Sequence, residues 1–231
     1  MKPISRSAVG ALALIVAGCQ PLSNLGFDRR PVYITEPIDG STRGRLLYAT
    51  QDPQACAAWL TAAGLSFRPV ADRSEGGYCI VTGAGNLIDA PRSSDPPLSP
   101  PRPMMACDLA AAVALWRRQS VEPAARELLG AEVRRIDHLG VYACRGVGDP
   151  VTGRPSAHAQ AKAIDIAGFR LSNGKQITVE RDWSGQGAEA KFLRRVRDDG
   201  CRLFGVMLSP DYNAAHANHL HMEMGRGGLC S

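Results

Sequence analysis

The sequence predicts an α+β fold in which a small, mainly antiparallel sheet is flanked by helices and held by disulfides. Its strand-like apolar runs are short, and most are joined by loops too brief for repeated parallel crossovers. Amphipathic helical stretches lie between and around those runs rather than after each one. Behind an apolar leader there remains an even set of cysteines.

Taken in order, Met1–Gly18 reads as a targeting segment. Lys2 and Arg6 give it a positive start, Ala8–Ala17 is apolar, and Val16-Ala17-Gly18-Cys19 follows at once. That apolar stretch is about half of the roughly 20 residues a bilayer span requires. Residues 19–50 carry Pro21, Gly26, Pro31, Pro37 and Gly40 with little periodicity, so a tether is expected there. Residues 51–90 read as a small unit. A helix Pro53–Ala63 has Asp52 as its cap, Pro53 in its first position and Gly64 as terminator, and strands Leu65–Val70 and Tyr78–Val81 follow around a polar Asp72–Gly77 turn. Residues 91–103 hold six prolines, a composition that suits neither a helix interior nor a central strand. An extended connector is expected, with a boundary near residue 103.

Residues 104–231 form the expected main domain. Cys107–Gln119 is an amphipathic helix with Leu109, Val113 and Trp116 along one side, and Pro123–Leu129 is a second helix stopping at Gly130. Val133–His138 and Gly140–Cys144 read as a strand pair or one bent strand. Ala163–Ala167 and Ile177–Val179 are strands separated by the Asn173-Gly174 turn signal. Ala188–Asp199 is helical, with Phe192, Leu193 and Val196 inward and Gly200 as terminator. Arg202–Leu208 and His219–Met224 close the chain as strands. No internal repeat is visible.

The net charge is +5. Removing Met1–Gly18 takes away Lys2 and Arg6 and no acid, leaving 25 basic residues against 22 acidic ones. That balance, with no basic run interleaved with aromatics, argues against a nucleic-acid partner. Beyond Cys19, the cysteines are Cys56, Cys79, Cys107, Cys144, Cys201 and Cys230, and none makes a C-x-x-C pair. Disulfides in an oxidising compartment fit better than a zinc ribbon. Fifteen connectivities are open; local closure favours Cys56–Cys79, Cys107–Cys144 and Cys201–Cys230.

The chemistry is concentrated in two segments. Three of the five histidines stand in His216-Ala-Asn-His219-Leu-His221, and a fourth opens His158-Ala-Gln-Ala-Lys-Ala-Ile-Asp165. Strand alternation puts His219, His221 and Glu223 on one face and Leu220, Met222 and Met224 on the other. Asp165 lies inside an apolar run, where an unpartnered carboxylate would be costly to bury. Imidazoles and one carboxylate are what a catalytic zinc site with an open position requires.

The leader's ending resembles a bacterial lipobox. It implies cleavage before Cys19 and lipid attachment there, with Gln20 pointing to the periplasmic face of the outer membrane; an ordinary secretory signal is the alternative. Ser156-x-His158-x6-Asp165 followed by His219-x-His221 resembles the metal-binding pattern of the LAS superfamily of zinc peptidases, which includes lysostaphin, D-alanyl-D-alanine metallopeptidases and hedgehog. Tyr-Ala-Cys-Arg145, Ala-Ile-Asp165-Ile-Ala-Gly-Phe, Arg181-Asp-Trp183, Gly200-Cys-Arg-Leu-Phe and Tyr212-Asn-Ala-Ala-His216 resemble the bacterial extensin-like C-terminal domain family.

The resemblance implies a LAS/hedgehog-like fold and Zn2+ held by His158, Asp165 and His221. It assigns His219 as the base or the group that orients the water, His216 as a further active-site histidine and Arg145 as a cation near the scissile carbonyl. Ser156 accompanies the first ligand and is expected at the substrate. The common form Ser-x-His-x-x-Gly-x-Ala-x-Asp carries Gly where this chain has Ala161. The implied activity is peptidoglycan stem-peptide hydrolysis by a monomer tethered to the membrane through its N-terminal lipid. An endopeptidase acting on D,D or L,D cross-links leads; a D,D-carboxypeptidase and a non-catalytic wall-binding or protein-binding module are the alternatives.

Overall fold

The computed structural model describes residues 28–231 apart from 77, 90–94, 149–153 and 226. The leader, Cys19 and the first part of the expected tether lie outside the described residues.

Residues 28–50 differ from that tether. Val32, Ile38 and Leu46 enter the core, helix α1 (Thr42–Ala49) forms, and buried Arg45 pairs with Glu36. Trp59 Nε1–H donates to the Val32 carbonyl at 2.8 Å. A few apolar anchors spaced between prolines dock an irregular segment without any periodicity. Helix α2 (Pro53–Ala62) starts as expected: Asp52 Oδ1 accepts from the amides of Gln54 and Ala55 at 3.0 and 2.8 Å. Four strands follow, β1 (Ser66–Pro69), β2 (Arg73–Glu75), β3 (Cys79–Val81) and β4 (Ala84–Ile88). β1 pairs with β4 and β2 with β3, so two nested antiparallel pairs replace the expected hairpin of the first and third runs.

The proline-rich stretch is more than a connector. Asp95 is buried against Arg118, and β5 (Leu98–Ser99) pairs in parallel with Ile136 and Asp137. β6 (Met104–Ala106) pairs with β4 across the expected boundary near residue 103. Helices α3 (Cys107–Trp116) and α4 (Glu122–Leu129) are joined by a π-helical turn, Arg117–Val121, where two separate helices were expected. Pro123 explains the turn. It has no amide hydrogen, and its ring crowds the carbonyl four residues earlier, so the wider turn that carries the Glu122 amide back to Arg117 relieves the conflict.

The main sheet comprises β5 with β7 (Val133–Gly140), β8 (Ala163–Leu171), β9 (Gln176–Thr178), β10 (Val206–Leu208), β11 (Leu220–Glu223) and β12 (Leu229–Cys230). Its order is β12-β10-β11-β8-β7-β5, with β9 pairing β8 as well. Only β5–β7 and β10–β12 are parallel, so the mainly antiparallel α+β expectation holds. Of the expected strand Gly140–Cys144, only Gly140 joins β7.

Between β9 and β10 lie the short α5 (Val179–Asp182) and the long α6 (Ala188–Leu203). α6 runs past Gly200, whose expected role was to end it. A Cβ there would sit 2.9 Å from Met207 Cε, so this glycine lets β10 approach the helix. The expected strand over 202–208 shortens accordingly.

α3 and α6 pack together and against the sheet. Trp116 Nε1–H donates to the Val196 carbonyl at 2.9 Å, and the Phe169 ring lies 6.2 Å from Trp116 and 5.0 Å from Phe192. Pairing of β7 with β8 passes from Asp137↔Gly168 to His138↔Ile166, a bulge that changes the alternation on β8. Ile164, Ile166, Phe169 and Leu171 are therefore all buried, while Asp165 is only partly so.

Cys201–Cys230 forms as expected. The other two bridges are Cys56–Cys107 and Cys79–Cys144, not Cys56–Cys79 and Cys107–Cys144. Nearness in sequence misleads here because the β1–β4 pairing lays α2 on α3 and leaves β3 beside residues 157–160.

Gly168 is a sensitive point of this sheet, because a Cβ would press on the Ile177 carbonyl oxygen of β9. Gly168→Ala is expected to destabilise the protein by about 1–3 kcal/mol, measured as a lowered urea midpoint at unchanged slope.

Candidate metal centre

The site is built on the register of two strands. β11 pairs with β8 so that His221 stands opposite Asp165, and His221 Nδ1 lies 2.9 Å from Asp165 Oδ1. Leu220, Met222 and Met224 are buried on the inner face, which leaves His221 and Glu223 outward as strand alternation requires. His221 Nε2 faces Glu223 Oε2 at 3.6 Å.

His158 arrives from a 3₁₀ turn, Ala157–Gln160. Its Nδ1–H donates to the Val141 carbonyl at 2.8 Å, so Nε2 carries the lone pair. Nε2 lies 3.2 Å from Asp165 Oδ2 and 3.3 Å from His221 Nδ1. Ser156 is buried, with its hydroxyl accepting the His158 amide at 3.3 Å. The geometry gives Ser156 the task of holding this turn. Ala161 ends the turn at φ 54° and ψ 29°, in the left-handed region. Glycine there avoids a strain of about 1–2 kcal/mol, a physical reason for the glycine of the common pattern.

The third segment bends through Ala214–His216. Asn213 Oδ1 accepts from the Ala215 amide at 3.0 Å, which fixes its orientation, and also from His216 Nδ1–H at 2.7 Å. His219 Nδ1–H donates to Asn218 Oδ1 at 2.8 Å. Both histidines thus keep Nε2 unprotonated and free. His219 Nε2 lies 3.5 Å from Asp165 Oδ1, and the His216 ring stands 5.1 Å from His219 and 5.8 Å from His221. Arg145 is exposed on the loop after Val141, and its charge is felt by His216 and His219. The fifth histidine, His138, is tied to the Pro100 carbonyl at 2.9 Å and belongs to neither ligand group.

The electrostatics follow from this crowding. Burial raises the Asp165 pKa, but the adjoining imidazoles of His158, His221 and His219 outweigh it and hold the carboxyl well below its usual range. Burial disfavours charge on His221, yet Asp165 and Glu223 push it up to about 9. Burial and neighbouring imidazoles lower His216 to about 4; burial, partly offset by Asp165, also lowers His219.

His158, Asp165 and His221 can hold a metal ion, as can His216, His219 and His221. In the first set Asp165 meets His221 through Oδ1 at 2.9 Å and His158 through Oδ2 at 3.2 Å, and the two rings approach to 3.3 Å; imidazole nitrogens and a carboxylate oxygen are the donor types a zinc ion takes. The orienting residues Asn213, Asn218 and Val141 escaped the sequence reading. An Asx residue two or three positions ahead of a histidine was a usable sign for Asn213. A backbone carbonyl such as that of Val141 leaves no sign at all.

Fold and site together define a disulfide-bonded α+β domain with a partly buried histidine–aspartate group that could hold a metal ion. The chain belongs to the Extensin-like protein C-terminus family, which matches residues 54–231. No curated protein and no solved structure matches it. Among the described residues, no helix is long and apolar enough to cross a membrane.

Two predictions follow from the supports of His158 and His221. Cys79–Cys144 anchors the loop whose Val141 carbonyl and Ala143 amide grip His158, while Cys56–Cys107 lies elsewhere. The bridges span 65 and 51 residues, so their chain-entropy contributions are nearly equal. Cys79→Ser/Cys144→Ser is expected to weaken zinc binding at least tenfold relative to Cys56→Ser/Cys107→Ser at similar loss of Tm. In the metal-free protein His221 is protonated below about 9, and zinc must displace that proton. Apparent zinc affinity in chelator-buffered titrations is therefore expected to rise from pH 6 to pH 8, by up to tenfold per pH unit.

Proposed function

We propose that this chain is a LAS-type zinc peptidase that hydrolyses the stem-peptide cross-links of peptidoglycan as a D,D- or L,D-endopeptidase. In this reading the leader is removed, Cys19 carries lipid, and the monomer works from the periplasmic face of the outer membrane. The observation that carries it is the adjacency of a donor set able to hold a metal ion, His158, Asp165 and His221, to a neutral imidazole with a free nitrogen, His219 Nε2. The three disulfides fit an oxidising compartment outside the cytoplasm.

Each residue has a separable task. His158, Asp165 and His221 would hold zinc, which supplies a Lewis acid and a water acidified to a pKa of about 7. Asp165 remains ionised across the working range, and Glu223 keeps the His221 ring turned toward the centre. His219 takes a proton on Nε2, and the Asn218 carbonyl steadies the resulting imidazolium through Nδ1–H. Arg145 extends a cation toward the oxyanion that develops on the scissile carbonyl. His216, held by Asn213, is neutral at pH 7 and lines the same side as the base.

The test is release of monomeric muropeptides from purified cross-linked murein by the mature protein, with and without chelator. Wild type is expected to cleave only with zinc, His219→Ala to lose about 10²–10⁴-fold in kcat/KM while still binding zinc, and His221→Ala to lose tight zinc binding as well. Because the base must be neutral and its pKa is lowered, the acid limb of kcat/KM is expected below the 6.5 of an ordinary imidazole. Tight zinc binding without cleavage of any cross-linked or tetrapeptide substrate would replace this reading with that of a wall-binding module.

A further inference from the structure

The second donor group has a consequence of its own. We infer that the centre takes a second divalent ion on His216 and His219, with His221 as a shared third ligand, and that this ion switches the peptidase off. The switching rests on the peptidase reading; the binding does not.

Three observations carry the site. The donor atoms of His216, His219 and His221 lie within 4.8 Å of one another, a group separate from His158, Asp165 and His221 except for the shared ring. His216 and His219 each donate Nδ1–H to an asparagine oxygen, and Asn213 Oδ1 is locked as an acceptor by the Ala215 amide. A ring anchored through one nitrogen with the other bare is the state in which histidines meet metals. The His216 ring is also set within 5.8 Å of both His219 and His221 although it belongs to neither strand, and Tyr212 packs edge-on behind it at 5.5 Å. This is a built position for an imidazole that the first ion does not use.

The chemistry of the ligands selects the ion. Three imidazoles favour Zn2+, Cu2+ or Ni2+ over Mg2+ and Ca2+, which prefer oxygen. Since His221 also serves the first ion through Nδ1, the second must take that ring's Nε2, with the ring bridging as an imidazolate and its proton released to solvent, and that cost makes it the weaker of the two. It fills only when metal is in excess. Once coordinated, His219 Nε2 has no lone pair with which to take a proton. Hydrolysis therefore stops with the first ion still in place, and the site reads the zinc level of its compartment through the residue that acts as its base.

The experiment titrates zinc into chelator-stripped full-length protein by calorimetry, and cobalt by its visible absorption, both without substrate. Two events are expected, the second at least tenfold weaker and with its own cobalt spectrum. His216→Ala should remove the second event and keep the first; Asn213→Ala, which leaves every ligand in place, should weaken the second alone. With murein present, wild-type hydrolysis should rise over the first equivalent and fall over the second. A single event up to millimolar zinc, or a second one unchanged in His216→Ala, overturns the proposal. Two events with no hydrolysis at any zinc level uphold the binding and remove only the peptidase reading.

Discussion

The cross-strand pair of Asp165 and His221 is the constraint on which the centre depends. Antiparallel pairing of β8 with β11 sets the two side chains opposite one another, and a slip of one residue by either strand would turn its side chain toward the helices and part the pair. The register is pinned by the inner faces, where Ile164, Ile166, Leu220 and Met222 are all fully buried. A carboxylate in such a strand is tolerable because every neighbour it meets carries or can carry positive charge. His158, His219 and His221 all lie within 3.5 Å of its oxygens.

Around this pair the chain solves an orientation problem for four rings, with three kinds of acceptor. His158 is turned by a backbone carbonyl, His216 and His219 by asparagine side chains, and His221 by two carboxylates. The difference divides their chemistry. Burial and the neighbouring imidazoles leave His216 and His219 as weak bases with lowered pKa, suited to take a proton briefly. Paired carboxylates make His221 strongly basic, which suits a permanent metal ligand. Assignment of roles among imidazoles of one type thus resides in what stands behind each ring.

That division also explains which parts of the molecule were legible in the sequence. The candidate metal donors were, because histidines spaced two apart and a carboxylate in an apolar strand are unusual enough to stand out, and because alternation along 219–224 fixes which side chains share a face. The α2 start was equally readable from Asp52 and Pro53. The bulge on β8 was not: it adds no distinctive residue, yet it carries the strand to Leu171, four residues beyond the expected end, while keeping Phe169 in the core. Nor were Cys56–Cys107 and Cys79–Cys144, since cysteine spacing records only chain distance, whereas the nested pairing of β1–β4 decides which sulfurs meet. Residues 28–50 escaped because docking by isolated anchors such as Val32 and Leu46 has no period to detect.

The unread parts are the ones that make the site rigid. The β2–β3 pair looks peripheral, yet Tyr142 of the His158-gripping loop donates its hydroxyl to Glu75 at 2.9 Å, Arg73 stacks on the Tyr142 ring at 4.2 Å, and Cys79 bonds to Cys144. Without such ties, residues 141–147 would be a surface loop held by β7 at one end and by the Gly146–Pro155 bridge at the other. With them, a covalent bond, an aromatic stack and a hydrogen bond converge within three residues of the carbonyl that sets the His158 tautomer. A metal ligand displaced by an ångström loses most of its value, and a loop alone seldom holds that tolerance. The N-terminal residues 28–90 therefore serve the centre without contributing a ligand to it. They are the buttress that allows one of its three donors to come from a turn instead of a strand.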